Sequence, residues 1–182
     1  MGSIDAPVSG GDVGAREGKL VVMCGGETDQ LEKVRPIIDK YSRAVNLCGK
    51  PGKGQHTKMV NQIILAGNMA GTVEGLMYAS KAGLDLTQVI DTITLGAASS
   101  TALNVLGRRM VAGNFDPGFY VEHYIKDLEI CLEESARMEL SLPCLAIVKQ
   151  LYIALKAQGG GKMGTQALIK VLENLNSYSI AK

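Results

Sequence analysis

The sequence predicts a mainly α protein, in which an all-helical region, residues 51–176, follows a small α/β piece, residues 1–50. Three observations lead there. Before Gly49, two short β-prone runs flank one helical pattern. After Gly54, apolar residues recur at three- and four-residue spacing almost to the end. The composition, 46% hydrophobic and 20% charged, is that of a soluble globular protein.

The first run, Leu20 to Cys24, is continuously apolar and stops at Gly25-Gly26, the signature of a strand buried on both faces. Leu31, Val34, Ile37 and Ile38 then share a helical face, with Thr28 as the expected N-cap. Arg43 to Cys48 reads as a second strand closed by Gly49. Gln55 to Lys81 reads as one helix, about 40 Å long at 1.5 Å per residue. Gly67, Gly71 and Gly75 form a stripe along it, which predicts close packing by another helix. Gly83 ends it and Asp85 caps the next helix, which reaches about Leu95. Another runs from Ser99 or Ser100 to Ala112, and Asn114 to Gly118 is a turn. Tyr120 to Met138, Pro143 to Ala157 and Thr165 to Leu175 complete the helices, and residues 177–182 are expected to fray.

A formal net charge of +1 with no run of one sign argues against nucleic-acid and membrane-surface binding. The absence of Trp, with two Phe and six Tyr, argues against base-stacking platforms. Cys24, Cys48, Cys131 and Cys144 form no CxxC pair, and His56 and His123 stand at no ligand spacing from them. Reduced thiols in an intracellular protein and no metal site are expected. The expected compartment is the cytoplasm, with a mitochondrion or another organelle as the alternatives. No secretory signal is visible and no apolar stretch is long enough to span a bilayer.

The chemistry concentrates in Gly49-Lys50-Pro51-Gly52-Lys53-Gly54-Gln55-His56-Thr57-Lys58-Met59-Val60-Asn61-Gln62. A strand, a glycine-rich turn and a helix start bring backbone N–H groups and the positive end of a helix dipole to one place, where an anion can bind. Lys58 lies on the first turns, with Asn61 at i+3 and Gln62 at i+4 on its face. A lysine in that positive surrounding is a candidate acid/base group, and the amides are candidates to orient a hydroxyl or carboxylate. The competing reading is a plain tight turn with Lys58 solvated. A dinucleotide loop is disfavoured by the order Gly-x-x-Gly-x-Gly and by the helix that continues through Glu74, where a second strand should stand.

Three segments carry a resemblance. Asp5-Ala6-Pro7-Val8-Ser9-Gly10-Gly11 resembles the substrate-binding signature of the β-hydroxyacid dehydrogenase family. Gly49 to Asn61 is similar to that family's Gly-x-x-Gly-x-Gly-x-x-x-Lys-x-x-Asn catalytic signature. Gly118-Phe119 with Lys126-Asp127-Leu128 resembles a third family segment near the nicotinamide. The resemblance implies that Ser9, Gly10 and Gly11 meet the substrate carboxylate and that Lys58 is the acid/base at the β-hydroxyl or carbonyl oxygen. Asn61 and Gln62 then position the substrate, and Phe119, Lys126 and Asp127 lie at the cofactor, NAD or NADP. Core packing for Phe119 and a plain surface carboxylate for Asp127 stay open. The Lys-x-x-Asn-Gln form and the Gly159-Gly160-Gly161 loop look more like tartronate semialdehyde reductases than 3-hydroxyisobutyrate dehydrogenases.

The resemblance also implies a Rossmann domain, of which residues 1–50 would be only the trailing edge. A truncated chain, inactive alone, is therefore expected. Unpaired strand edges and the family's helical domain lead to the expectation of a homo-oligomer acting on a small β-hydroxy acid or semialdehyde. The alternative is a non-catalytic oligomerisation or scaffold module on the same fold.

Overall fold

The computed structural model describes residues 2–180, which form two compact units dividing between Gln62 and Ile63.

The first unit is a three-stranded sheet in the order β1 (Val8–Ser9), β2 (Leu20–Gly25), β3 (Ser42–Gly49). β1 runs antiparallel to β2, with Val8 opposite Val22, and β2 runs parallel to β3, with Val22 opposite Val45. Every residue of β2 except Val21 is buried, as its unbroken apolar run requires. Between β1 and β2 lies a short helix, α1 (Gly11–Arg16), which the sequence reading did not anticipate. Six residues are too few to show a helical period. Helix α2 (Thr28–Ile38) sets Leu31 and Ile38 against Val22 and Cys24, with Val34 and Val45 closing the cluster. Thr28 was expected to cap it; instead Glu27 is the N-cap, in extended conformation, and no side chain bonds to the first turn.

Helix α3 (Lys53–Lys81) opens two residues before the expected Gln55. In the second unit its buried residues are Ala66, Met69, Thr72, Val73, Leu76, Met77 and Ala79, most of them at the three- and four-residue spacing of one face. The glycine stripe lies elsewhere. A Cβ at Gly67, Gly71 or Gly75 would meet no atom within 4 Å, so the expected helix-on-glycine packing is absent among the described residues. Beside the stripe Ile64 and Tyr78 are exposed. The glycines are open because the apolar residues that drive packing of α3 are on its other side.

Helix α4 (Leu86–Ile93) is capped as expected, Asp85 accepting from the Gln88 N–H at 2.8 Å. The next segment differs from the single helix expected. Ser100 Oγ accepts from the Leu103 N–H, then Ala102–Gly107 winds as a π-helix before α5 (Arg108–Val111). A short π segment rests on i→i+5 backbone pairing, which an apolar pattern of this length does not distinguish from an α-turn. Helices α6 (Val121–Arg137) and α7 (Pro143–Ala157) pack together with Tyr124 edge-to-face on Tyr152, ring centres 5.0 Å apart. Tyr152 donates its buried hydroxyl to the Thr165 carbonyl, which pins the 3-10 turn Thr165–Leu168 ahead of α8 (Ile169–Leu175). Residues 177–180 are tied back to the neighbouring helices. Tyr178 lies under the Lys81 ammonium and bonds to Ser80 Oγ, while the Ile180 N–H reaches Glu173 Oε1. Residues 181–182 of the expected frayed tail lie outside the described residues.

Candidate active site

The glycine-rich turn and the first turns of α3 belong to the first unit, as do β1 and the Ser9-Gly10-Gly11 segment. An anion does sit at the start of α3, and it is the protein's own. Asp5 Oδ1 accepts from the Gly52 N–H at 2.6 Å and Oδ2 from the Gln55 N–H at 2.8 Å. Asp5 is fixed in turn by its backbone, which exchanges both hydrogen bonds with Gly25 at the end of β2. The opening of the turn to an external anion, expected from sequence, is therefore corrected. The nearest carboxylate in space comes from 47 residues upstream and fills the place.

Partial burial pushes the Asp5 carboxyl up, but the Gly52, Gln55 and Gly54 N–H groups together outweigh it, and its pKa lies below the ordinary 3.8. A depressed carboxyl stabilises the fold fully above its unfolded value. Below that value the unfolded chain takes up the proton first, and the contribution is lost as pH falls through the folded value. Asp5→Asn, which keeps one acceptor oxygen, is expected to cost about 0.5–1 kcal/mol near neutrality. The gap between the two proteins should close as pH falls below the ordinary carboxylate range, followed by urea unfolding across the acid range. A gap independent of pH would refute the ionised cap.

Lys58 is half-buried, and its ammonium donates to the Val8 carbonyl at 2.8 Å. This bond joins the two signature segments, because Val8 lies on β1 immediately before Ser9. Gly10 and Gly11 follow with φ of 131° and 64°, conformations that suit glycine, and both are exposed. Asn61 donates its amide to Gln62 Oε1 at 2.8 Å, and Gln62 is 2% exposed. Of the two amides, Asn61 is thus the more accessible, with Gln62 buried behind it. Lys58 and the Ser9-Gly10-Gly11 segment come together around one strand end, and Asn61 and Gln62 lie one helical turn further along α3.

Phe119, Lys126 and Asp127 belong to the second unit. Phe119 is half-buried, tilted against His123 and edge-on to Tyr124 at 5.7 Å. Its backbone is held from behind, the Thr165 N–H donating to its carbonyl. Gln166, 1% exposed, donates to the Asn114 and Asp116 carbonyls and so fixes the preceding turn. Lys126 is exposed and pairs with Asp127 at 2.6 Å, whose side chain is only 15% exposed. Asp127 is accordingly no plain surface carboxylate. Sequence reading missed Asp5 as a cap, Gln166 as the brace of the turn and His123 beside Phe119. For Asp5 the one available signal was its place at the head of the Ser9-Gly10-Gly11 segment.

For a dinucleotide the fit is divided. The α3 turn offers no diphosphate cradle, since Asp5 occupies its N–H groups. Of the residues expected at the nicotinamide, Phe119 is held edge-on to Tyr124 and the Lys126 ammonium is exposed beside Asp127. Among the described residues no three His, Cys, Asp or Glu side chains gather as a metal site, and no helix is long and apolar enough to cross a membrane.

Residues 52–172 match the family model for the NAD-binding region of NADP-dependent 3-hydroxyisobutyrate dehydrogenase, and residues 1–49 that for the NAD-binding domain of 6-phosphogluconate dehydrogenase. The chain is 51% identical, over 98% of its length, to an Arabidopsis thaliana protein named "Probable 3-hydroxyisobutyrate dehydrogenase-like 1, mitochondrial", and covers 53% of that protein. It is 39% identical to the 2-hydroxy-3-oxopropionate reductase of Escherichia coli, over 98% of this chain and 61% of that one. The solved structure of Mycobacterium tuberculosis 3-hydroxyisobutyrate dehydrogenase with L-serine superposes with a TM-score of 0.85 and 28% identity, over 93% of this chain and 60% of that one. The chain thus spans between about half and three fifths of the length of these relatives. With the catalytic signature on α3 tied to the substrate signature on β1, and with a family model matched across most of its helices, the chain belongs to the β-hydroxyacid dehydrogenase family.

Proposed function

We propose that the chain forms the catalytic and substrate-binding part of an NAD(P)-dependent β-hydroxyacid dehydrogenase acting on tartronate semialdehyde or an acid like 3-hydroxyisobutyrate. The observation that carries this reading is the bond from Lys58 Nζ to the Val8 carbonyl, which holds an acid/base group at the segment suited to a carboxylate. The likeness to the Escherichia coli reductase and the L-serine in the Mycobacterium tuberculosis structure, itself a small β-hydroxy acid, support the substrate class.

In this reading the Ser9 hydroxyl and the exposed Gly10 and Gly11 backbone bind the carboxylate, while Asn61, backed by Gln62, orients the β-oxygen. Lys58 Nζ gives a proton to that oxygen in reduction and takes it in oxidation. Phe119, Lys126 and Asp127 would hold the nicotinamide end of NAD or NADP, which when bound supplies or accepts the hydride at the β-carbon. The chain alone is proposed to be inactive, because it spans only about half to three fifths of the length of these relatives and its turn at α3, closed by Asp5, offers no substitute cradle for the diphosphate.

The test follows nicotinamide absorbance with NADH and NADPH against tartronate semialdehyde, and with NAD and NADP against 3-hydroxyisobutyrate, for the chain and for a full-length protein containing it. Turnover of one pair by the longer protein is expected, and none of any pair would overturn the reading. We also propose a homo-oligomer, supported by the uncovered face of α3 around Ile64 and Tyr78 and by Leu95, 90% exposed. A monomeric mass in sedimentation at micromolar concentration would overturn that.

A further inference from the structure

We propose that Asp5 is a positioning residue for Lys58, its carboxylate locking the start of α3 onto the end of β2 so that the ammonium reaches the Val8 carbonyl. The inference rests on the reading of Lys58 given under the proposed function.

Three observations carry it. The Asp5 backbone is paired with Gly25, so the residue belongs to the sheet. Its side chain belongs to the helix, through the Gly52 and Gln55 N–H groups. The helix start is pressed so closely on the sheet that a Cβ on Gly25 would lie 2.7 Å from the Gly54 nitrogen and would also collide with the Asp5 carboxylate. One residue therefore sets where α3 begins relative to β2, and Lys58 stands one turn beyond the bonded Gln55. Val8, whose carbonyl accepts from Lys58, lies on β1, three residues after Asp5 and paired to the same β2. Loss of the carboxylate frees the helix start from one end of this arrangement. It leaves the Gly52 and Gln55 N–H groups facing a hole that fits a small carboxylate.

Lysine acetylation by a succinimidyl ester, read by mass spectrometry on the chain, tests this. Exposed Lys40 serves as the internal reference. In D5A the ratio of Lys58 to Lys40 labelling should rise about 3- to 10-fold, the size of a lost capping carboxylate in a local equilibrium. D5N keeps one acceptor oxygen and should give a smaller rise. Sodium formate should restore the D5A ratio saturably and leave the wild type unchanged, and sodium chloride at equal ionic strength should not restore it. An unchanged ratio in a D5A chain of native circular dichroism overturns the proposal. So does a rise matched at Lys19, which would mean general loosening, or formate with no effect. Should D5A not fold, the D5N ratio decides alone, and no change there overturns the proposal. In the full-length protein D5N should lower kcat with KM little changed. Labelling that follows these expectations beside a fully active K58A would remove the catalytic reading and leave the positioning intact.

Discussion

Lys58→Ala in a full-length protein containing this chain is expected to lower kcat/KM by about 10²- to 10⁴-fold, the usual contribution of a positioned acid/base group. That corresponds to about 3–5 kcal/mol of transition-state stabilisation. Stability should change far less. The variant removes one donor from the Val8 carbonyl, a loss of about 1 kcal/mol. Lys58→Arg separates the two roles. A guanidinium can still donate towards Val8 but stays charged at any working pH, so it cannot cycle a proton. The expected result is a fold as stable as the wild type with activity as low as in the alanine variant. Steady-state rates beside urea midpoints decide it. Arginine at position 58 with full activity would show that the ammonium only ties α3 to β1.

The sequence displayed those parts of the fold that rest on local apolar pattern. The unbroken run of β2 and the three- and four-residue spacing along the helices reflect which side chains leave water, and that is written residue by residue. What rests on pairing across the chain was not displayed. Asp5 capping a helix that begins 48 residues later leaves no trace in composition or period. Gln166 bracing the Asn114 turn is likewise a contact over 52 residues. The glycine stripe failed for another reason. Glycine spacing shows where close approach is allowed, whereas the buried Ala66, Met69, Val73 and Leu76 show where it takes place. For the site, the residue types at Lys58, Asn61 and Gln62 were legible because a helix fixes i, i+3 and i+4 on one face. That Gln62 is buried behind Asn61 was not, since burial depends on what surrounds α3.

Gly54→Ala should have the largest effect on folding of any single methyl added to the first unit. A Cβ there would collide with the Met23 carbonyl oxygen and lie 2.7 Å from Asp5 Oδ2 and 2.8 Å from the Gly25 nitrogen. Two of these three atoms are backbone of β2, which is buried and paired on both sides, so neither can move without breaking the sheet. The third is the capping carboxylate. Relief therefore has to come from lifting α3 off the strand, which gives up the Asp5 cap and the Lys58 bond together. A loss of at least about 3 kcal/mol is expected, beyond ordinary overpacking because the obstacle is main chain. Gly67→Ala is the internal control on the same helix. No atom lies within 4 Å of its Cβ position, and helix propensity alone should give a gain of up to about 1 kcal/mol. Opposite shifts of the two urea midpoints are the expected outcome. A Gly54→Ala midpoint equal to that of the wild type would mean that α3 does not lie so close to β2, and the link from Asp5 to Lys58 would fall with it.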